Sequence, residues 1–309
     1  MYTQRVYFSL MRLRWLAGLG AACLGAAAQG ADVAATSASQ GGETLRAALR
    51  EERLWVKVHA AEALVLEGQS AVVRAWLDRE PTDGEGVFPR IGRWRLQVRS
   101  SPSQEERGAA LRRIEGVFLD PAGAPDALQA VESLCKLQAV SSPAAAAGAR
   151  KLAQNGTEKD RVFANWFLAL AGDGSARDGI VTALVSTDEI ARLRAGYALR
   201  WLGESRPAAL AKLAEAADRE PARSVARPYL IGSAYRLRAN PARLSAWRAA
   251  LLELVANGEP GARLDVAQVL MDETASAELV QWRPLLNQPG DNRIAAGWVY
   301  LHVGNRSSR

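Results

Sequence analysis

One helix-length pattern recurs along the chain, and it limits the fold more than any bulk property does. Its clearest copy spans residues 54–68, where Val58, Ala61, Leu64 and Val65 recur at helical spacing and Gly68 supplies a stop. Further copies are anchored on apolar residues at 58, 91, 128, 162, 193, 225, 264 and 294. Two of them read Arg192-Leu193-Arg194-Ala195-Gly196-Tyr197-Ala198-Leu199 and Arg263-Leu264-Asp265-Val266-Ala267-Gln268-Val269-Leu270. The anchors lie about 30 to 39 residues apart, the period of a helical hairpin. Between them fall other amphipathic stretches, among them residues 71–78, 105–117, 205–219 and 244–257. Asp78-Arg79-Glu80-Pro81 returns as Asp218-Arg219-Glu220-Pro221, each at a boundary where proline ends a helix. A single hairpin of this kind cannot bury its apolar stripe; stacked neighbours can.

The pattern of Lys or Arg, an apolar residue, small residues and Leu before a glycine turn resembles HEAT and HEAT-like (PBS-lyase-type) repeats. Residues 57–64 with Gly68 and 192–199 with Gly203 show it best. The resemblance covers residues 44–304 and implies an all-α fold, a right-handed α-solenoid of about eight stacked hairpins with a convex and a concave face. It carries no catalytic residues, and it implies scaffolding and binding of a protein or peptide. A looser similarity to HEAT-like segments of bacterial sodium:solute symporters rests on residues 58–64, 90–95 and 130–134. It would place the chain beside a transport system of the cell envelope as an accessory.

At the N-terminus, Arg12 and Arg14 precede an apolar run over residues 15–28, the layout of a secretory signal with cleavage after Ala28 or Gly30. The run is short for a membrane span. An alternative makes Cys23 a lipidation site and anchors the protein to the envelope. The expected organisation is a signal peptide at 1–30, a flexible linker at 31–43 by composition, the solenoid at 44–304 and a polar tail at 305–309. The expected location is the periplasm. The formal charge is +6; without Arg5, Arg12 and Arg14 it falls to about +3, too little to point to nucleic acid. Cys135 is the sole cysteine beyond the leader, so no intrachain disulfide is expected after processing.

The chemistry-bearing motifs are sparse. His59 and His302 are the only histidines, no His-Glu-x-x-His or Cys-x-x-Cys is present, and no cofactor or metal is expected. Gly203-Glu204-Ser205-Arg206-Pro207 lacks the last glycine of a hydrolase elbow. What remains is a ribbon of polar and aromatic residues assigned to the concave, second helices of the hairpins. His59, Glu62, Arg93, Trp94 and Arg95 begin it. Glu132, Lys136, Trp166, Arg194, Tyr197 and Arg200 continue it. Glu62 and Glu132 hold the same repeat position, where a carboxylate needs a cation such as Arg93, Arg95 or Lys136. The ribbon reads either as a ladder of ion pairs that fixes the stacking, or as a groove for an acidic peptide or a carbohydrate, with Trp94 or Trp166 as platform and arginines reading charge. Paired carboxylates could also serve glycan cleavage. The polar end of the last copy points to an open array with a solvated cap.

Overall fold

The computed structural model describes residues 24–80 and 89–307, and side chains from residue 35 onward. Residues 1–23 of the expected signal peptide, Cys23 among them, and Pro81 of the repeated tetrapeptide lie outside the described residues. Among the described residues the chain is all helical, with helices packing in neighbouring pairs as a solenoid does.

Eight helices carry the repeated pattern. They are α2 (Leu54–Leu66), α4 (Pro89–Ser100), α6 (Ala127–Lys136) and α8 (Glu158–Leu170), followed by α10 (Glu189–Leu202), α12 (Arg227–Arg236), α14 (Pro260–Leu270) and α16 (Asp291–Ser307). Each packs on the next, and α16 packs on α2. The eight therefore close a ring. Between them run α3 (Ser70–Arg79), α5 (Gln104–Phe118), α7 (Pro143–Asn155), α9 (Gly174–Ala183), α11 (Pro207–Arg219) and α13 (Leu244–Asn257). These form the outer layer. The core lies between the layers, where the positions two residues past the anchor are small and sealed: Ala60, Ala130, Ala164 and Ala195 are at most 1% exposed. Alanine there lets neighbouring helices approach closely.

In several copies the basic residue before the anchor acts as a pin. Lys57 bonds Glu80 at 2.7 Å, Arg90 bonds Asp126 at 2.8 Å and Arg192 bonds Glu220 at 2.8 Å. Arg293, the same position in the last copy, reaches Glu52 at 2.8 Å and Glu51 at 2.8 Å, at the end of α1 (Leu24–Glu51). The final pin thus ties the end of the chain to its beginning.

The open array expected from the polar C-terminus does not form, for a visible reason. The outer helix of the last hairpin, α15, is cut to Leu279–Trp282, which leaves α16 short of cover. Helix α1 covers it instead, in the most extensive helix pairing of the molecule. Gly41 sits so close to α16 that a Cβ there would lie 2.3 Å from the Leu301 nitrogen. The linker expected over residues 31–43 is accordingly helical, and Ser37, Gly41 and Gly42 are buried. The tail expected at 305–309 is likewise partly structured. Asn305 donates to Glu67, and Arg306 donates to the carbonyls of Asp272 and Thr274.

His302 adds a titratable clasp to this closure, bonded to Asp272 at 3.0 Å and to Glu67 at 2.8 Å. Those two carboxylates, Asp272 foremost, raise its pKa to about 9 against the burial that opposes them. A pKa raised above the ordinary 6.5 means the clasp contributes fully below about pH 6.5 and is lost as pH rises through about 9. Thermal melts from pH 6 to 10 are expected to show that decline in the wild type and a flatter profile in His302→Gln. Equal slopes would remove the clasp from the account.

One copy is out of register with the sequence reading. Val225 precedes α12 and is 49% exposed. The turn bond that runs from Glu204 N–H to Leu199 O is made in α12 from Ala239 N–H to Ala234 O, which puts the anchor at Pro228 and the pin at Arg227. Arg227 indeed donates to the Glu220 carbonyl, 2.7 Å away.

Candidate functional site

The inner helices all run the same way, so equivalent positions form stacked layers around the ring's axis. At its centre is a cavity of about 470 Å³ to which all eight inner helices contribute side chains at or near the anchor. At the mouth, three residues before the anchor, are Trp55, Pro125, Gly261 and Asp291. The anchors Leu128, Leu193 and Leu264 come next. One residue past the anchor are His59, Gln129, Phe163, Arg194, Tyr229 and Asp265. Four past it are Glu62, Arg95, Glu132, Tyr197, Gln268 and Trp298, and Lys136 closes the floor. The mouth opens where the helix N-termini converge, and Asp291, the first residue of α16, places a carboxylate at one of those positive ends.

Most of the ion pairs run between repeats; Glu132 with Lys136 lies within α6. Arg95, 3% exposed, donates to Glu62 at 2.6 Å and to Ser133 at 2.6 Å. Burial alone would raise the Glu62 pKa, but Arg95, with Lys136 and Arg99, overrides it and brings the carboxyl to about 2. Glu132 meets Lys136 at 2.8 Å and is lowered in the same way, against its burial. His59 is paired not with Glu62, its neighbour along the helix, but with Asp291 across the closure at 2.7 Å. Arg194 bonds Asp160 at 3.1 Å and lies over the Phe163 ring. Arg200 bonds Asp265 at 3.0 Å, from α10 to α14, skipping α12. Gly232 lies beside this bridge, where a Cβ would be 3.0 Å from a Val269 methyl and 3.4 Å from the Arg200 nitrogen and the Asp265 oxygen.

Six residues of the expected ribbon therefore meet in one cavity with Lys136: His59, Glu62, Arg95, Glu132, Arg194 and Tyr197. Four do not line it. Arg93 turns outward, stacks over Trp76 and donates to the Glu80 carbonyl. Trp94 packs on Arg90. Trp166 is sealed behind Tyr197 at 1% exposure, and Arg200 stands behind Asp265. Helical phase explains Arg93: it falls two residues past the anchor, about 200° around the helix, at a position that faces the outer layer.

Residues the sequence reading passed over are Trp55, Gln129, Tyr229, Asp265, Gln268, Asp291 and Trp298. The signal was present for most. Asp265, Gln268 and Trp298 occupy the same two positions past their anchors as His59 and Glu62 do past Val58. They belong to the C-terminal half, which a ribbon confined to the N-terminal half leaves out.

The cavity offers paired charges, aromatic walls and amides. Among the described residues no group of three or more histidine, cysteine or acidic side chains is placed to hold a metal ion. Cys135 is buried with its thiol pushed well up, a packing residue. No family model and no curated protein matches this chain.

Proposed function

We propose that this chain is an exported, HEAT-like repeat protein that works by binding, holding a polar segment or small molecule in the pocket at the centre of the ring. The reading is carried by the state of the two carboxylates best placed for catalysis. Glycan cleavage needs one carboxyl with a raised pKa to donate a proton. Glu62 and Glu132 are both lowered instead, each against a buried cation, so neither is a proton donor at neutral pH. Ring closure also reshapes the scaffold reading. An open concave surface would take a folded partner, whereas a recess of about 470 Å³ is of the size that takes a small ligand or the end of a peptide or glycan. Export rests on the leader sequence. Among the described residues no helix is long and apolar enough to cross a membrane.

A variant that plugs the mouth tests this reading. Gly261 stands at the mouth, and a Cβ there meets nothing within 4 Å. Gly261→Trp is therefore expected to fold normally and to fill the entrance. Native mass spectrometry of the protein incubated with periplasmic extract is expected to find a non-covalent adduct on the wild type and none on Gly261→Trp. An adduct retained equally by the variant would place binding elsewhere. A ligand recovered with an altered covalent mass would replace binding with turnover.

A further inference from the structure

We infer that the ligand of the central pocket is an uncharged carbohydrate, held by its hydroxyl groups and by the flat face of a sugar ring; this assignment rests on the binding role proposed above. The first ground is charge. Four of the charged side chain pairs at the cavity wall are already matched within the protein, Glu62 with Arg95, Glu132 with Lys136, Arg194 with Asp160 and Asp265 with Arg200, and Asp291 shares a hydrogen bond with His59. A charged ligand would have to break one of these partly buried pairs and leave a charge stranded, which is costly. A neutral ligand leaves them intact.

The second ground is hydrogen-bonding capacity. A carboxylate has about four lone-pair sites, so Glu62 or Asp291 can keep its cation and still accept from a hydroxyl. Paired acids and cations thus present acceptors and donors side by side without net charge, the complement of neighbouring hydroxyls that each donate and accept. The Gln129 side chain also lines the cavity and adds an amide to this set.

The third ground is shape. Trp55, Tyr197, Tyr229 and Trp298 give the recess aromatic surface on several sides. Aromatic faces pack against flat apolar surface, which the C–H face of a sugar ring provides. Extended peptides are usually gripped through unpaired backbone groups of a strand edge. The wall here consists of helices, which offer no strand edge.

Calorimetric titration of the full mature chain tests the assignment with four probe sets: neutral oligosaccharides of two to four sugars, uronate-containing ones, neutral tripeptides and charged tripeptides. A neutral oligosaccharide is expected to bind, with Kd changing less than about twofold between low and high salt, because no ligand charge is screened. Tyr229→Ala is expected to weaken it at least about tenfold, Tyr229→Phe about threefold or less, and Gln129→Ala about fivefold. Peptides or uronates that bind while every neutral sugar fails would overturn the carbohydrate class and leave the pocket reading standing. Failure of all four sets, with an extract-derived adduct still blocked by Gly261→Trp, would overturn the class alone. Failure of both experiments would overturn the pocket.

Discussion

Gly41→Val is expected to destabilise the protein by about 3 kcal/mol or more, because it forces apart the two helices that close the ring. The neighbours of a Cβ at this site are backbone atoms of α16: the Leu301 nitrogen at 2.3 Å, the Gly297 oxygen at 2.5 Å and the Leu301 Cα at 2.9 Å. None can rotate away as a side chain could. Helix propensity pulls the other way, since replacing a mid-helix glycine by a better helix former contributes up to about 1 kcal/mol. The clash wins by that comparison. Gly116→Ala supplies the control, as a Cβ there meets nothing within 4 Å. It is expected to be neutral or stabilising by up to about 1 kcal/mol. In thermal melts, a Gly41→Val midpoint lower by about 6 °C or more beside an unchanged Gly116→Ala supports the closure. Two equal midpoints would mean that α1 is not seated on α16 in solution.

Arg95→Met is expected to cost about 3 to 5 kcal/mol, since it strands the Glu62 carboxylate inside the ring. Arg95 is the partner that matters most to Glu62, and Ser133 holds its other end. The double variant Glu62→Leu/Arg95→Met removes both charges and is expected to recover most of the loss. Urea denaturation of the wild type, both single variants and the double variant gives the coupling directly. Additive losses would show that the two side chains stabilise the fold independently. The same pair sets an acid limit. With Glu62 lowered from 4.5 to about 2, its contribution is present above about pH 4.5 and is lost as pH falls towards 2.

Both effects depend on which links of the fold were written locally in the chain. The repeat was, because its anchors, its small residues and its basic pin recur at hairpin spacing. The inner face was also legible: the two residues past Val58 that line the cavity, His59 and Glu62, have counterparts in later copies. The register of α12 was obscured by Val225, an apolar residue three places before the true anchor position at Pro228. Its basic pin, Arg227, is the better marker, since it holds to the pattern of Lys57, Arg90 and Arg192. Closure was not legible at all. It depends on pairs such as Arg293 with Glu51, far apart in sequence, and no local pattern specifies a partner at that separation. Composition pointed the wrong way over residues 31–43. Glycines and serines that resemble a tether are the small residues a close helix crossing needs.

Two different roles share the same side chains. Ion pairs such as Arg95 with Glu62 and Arg194 with Asp160 tie neighbouring repeats together, and the acids among them also line the cavity. Where one set of residues both builds a ring and lines it, stability and binding should move together under Arg95 or Asp265 substitution. They should separate under Gln129, Tyr229 or Gly261 substitution, since those residues make no ion pair.

Small-angle X-ray scattering of the protein in dilute solution tests ring closure most directly. A closed ring of this length has the radius of gyration of a compact domain, about 19 Å. Eight hairpins stacked in an open array at about 9 Å per helix spacing would extend beyond about 70 Å and give a radius above about 24 Å. A value near 19 Å, with Gly41→Val shifted upward, is the predicted result. A wild-type value above 24 Å would contradict the closed ring and, with it, the pocket at its centre.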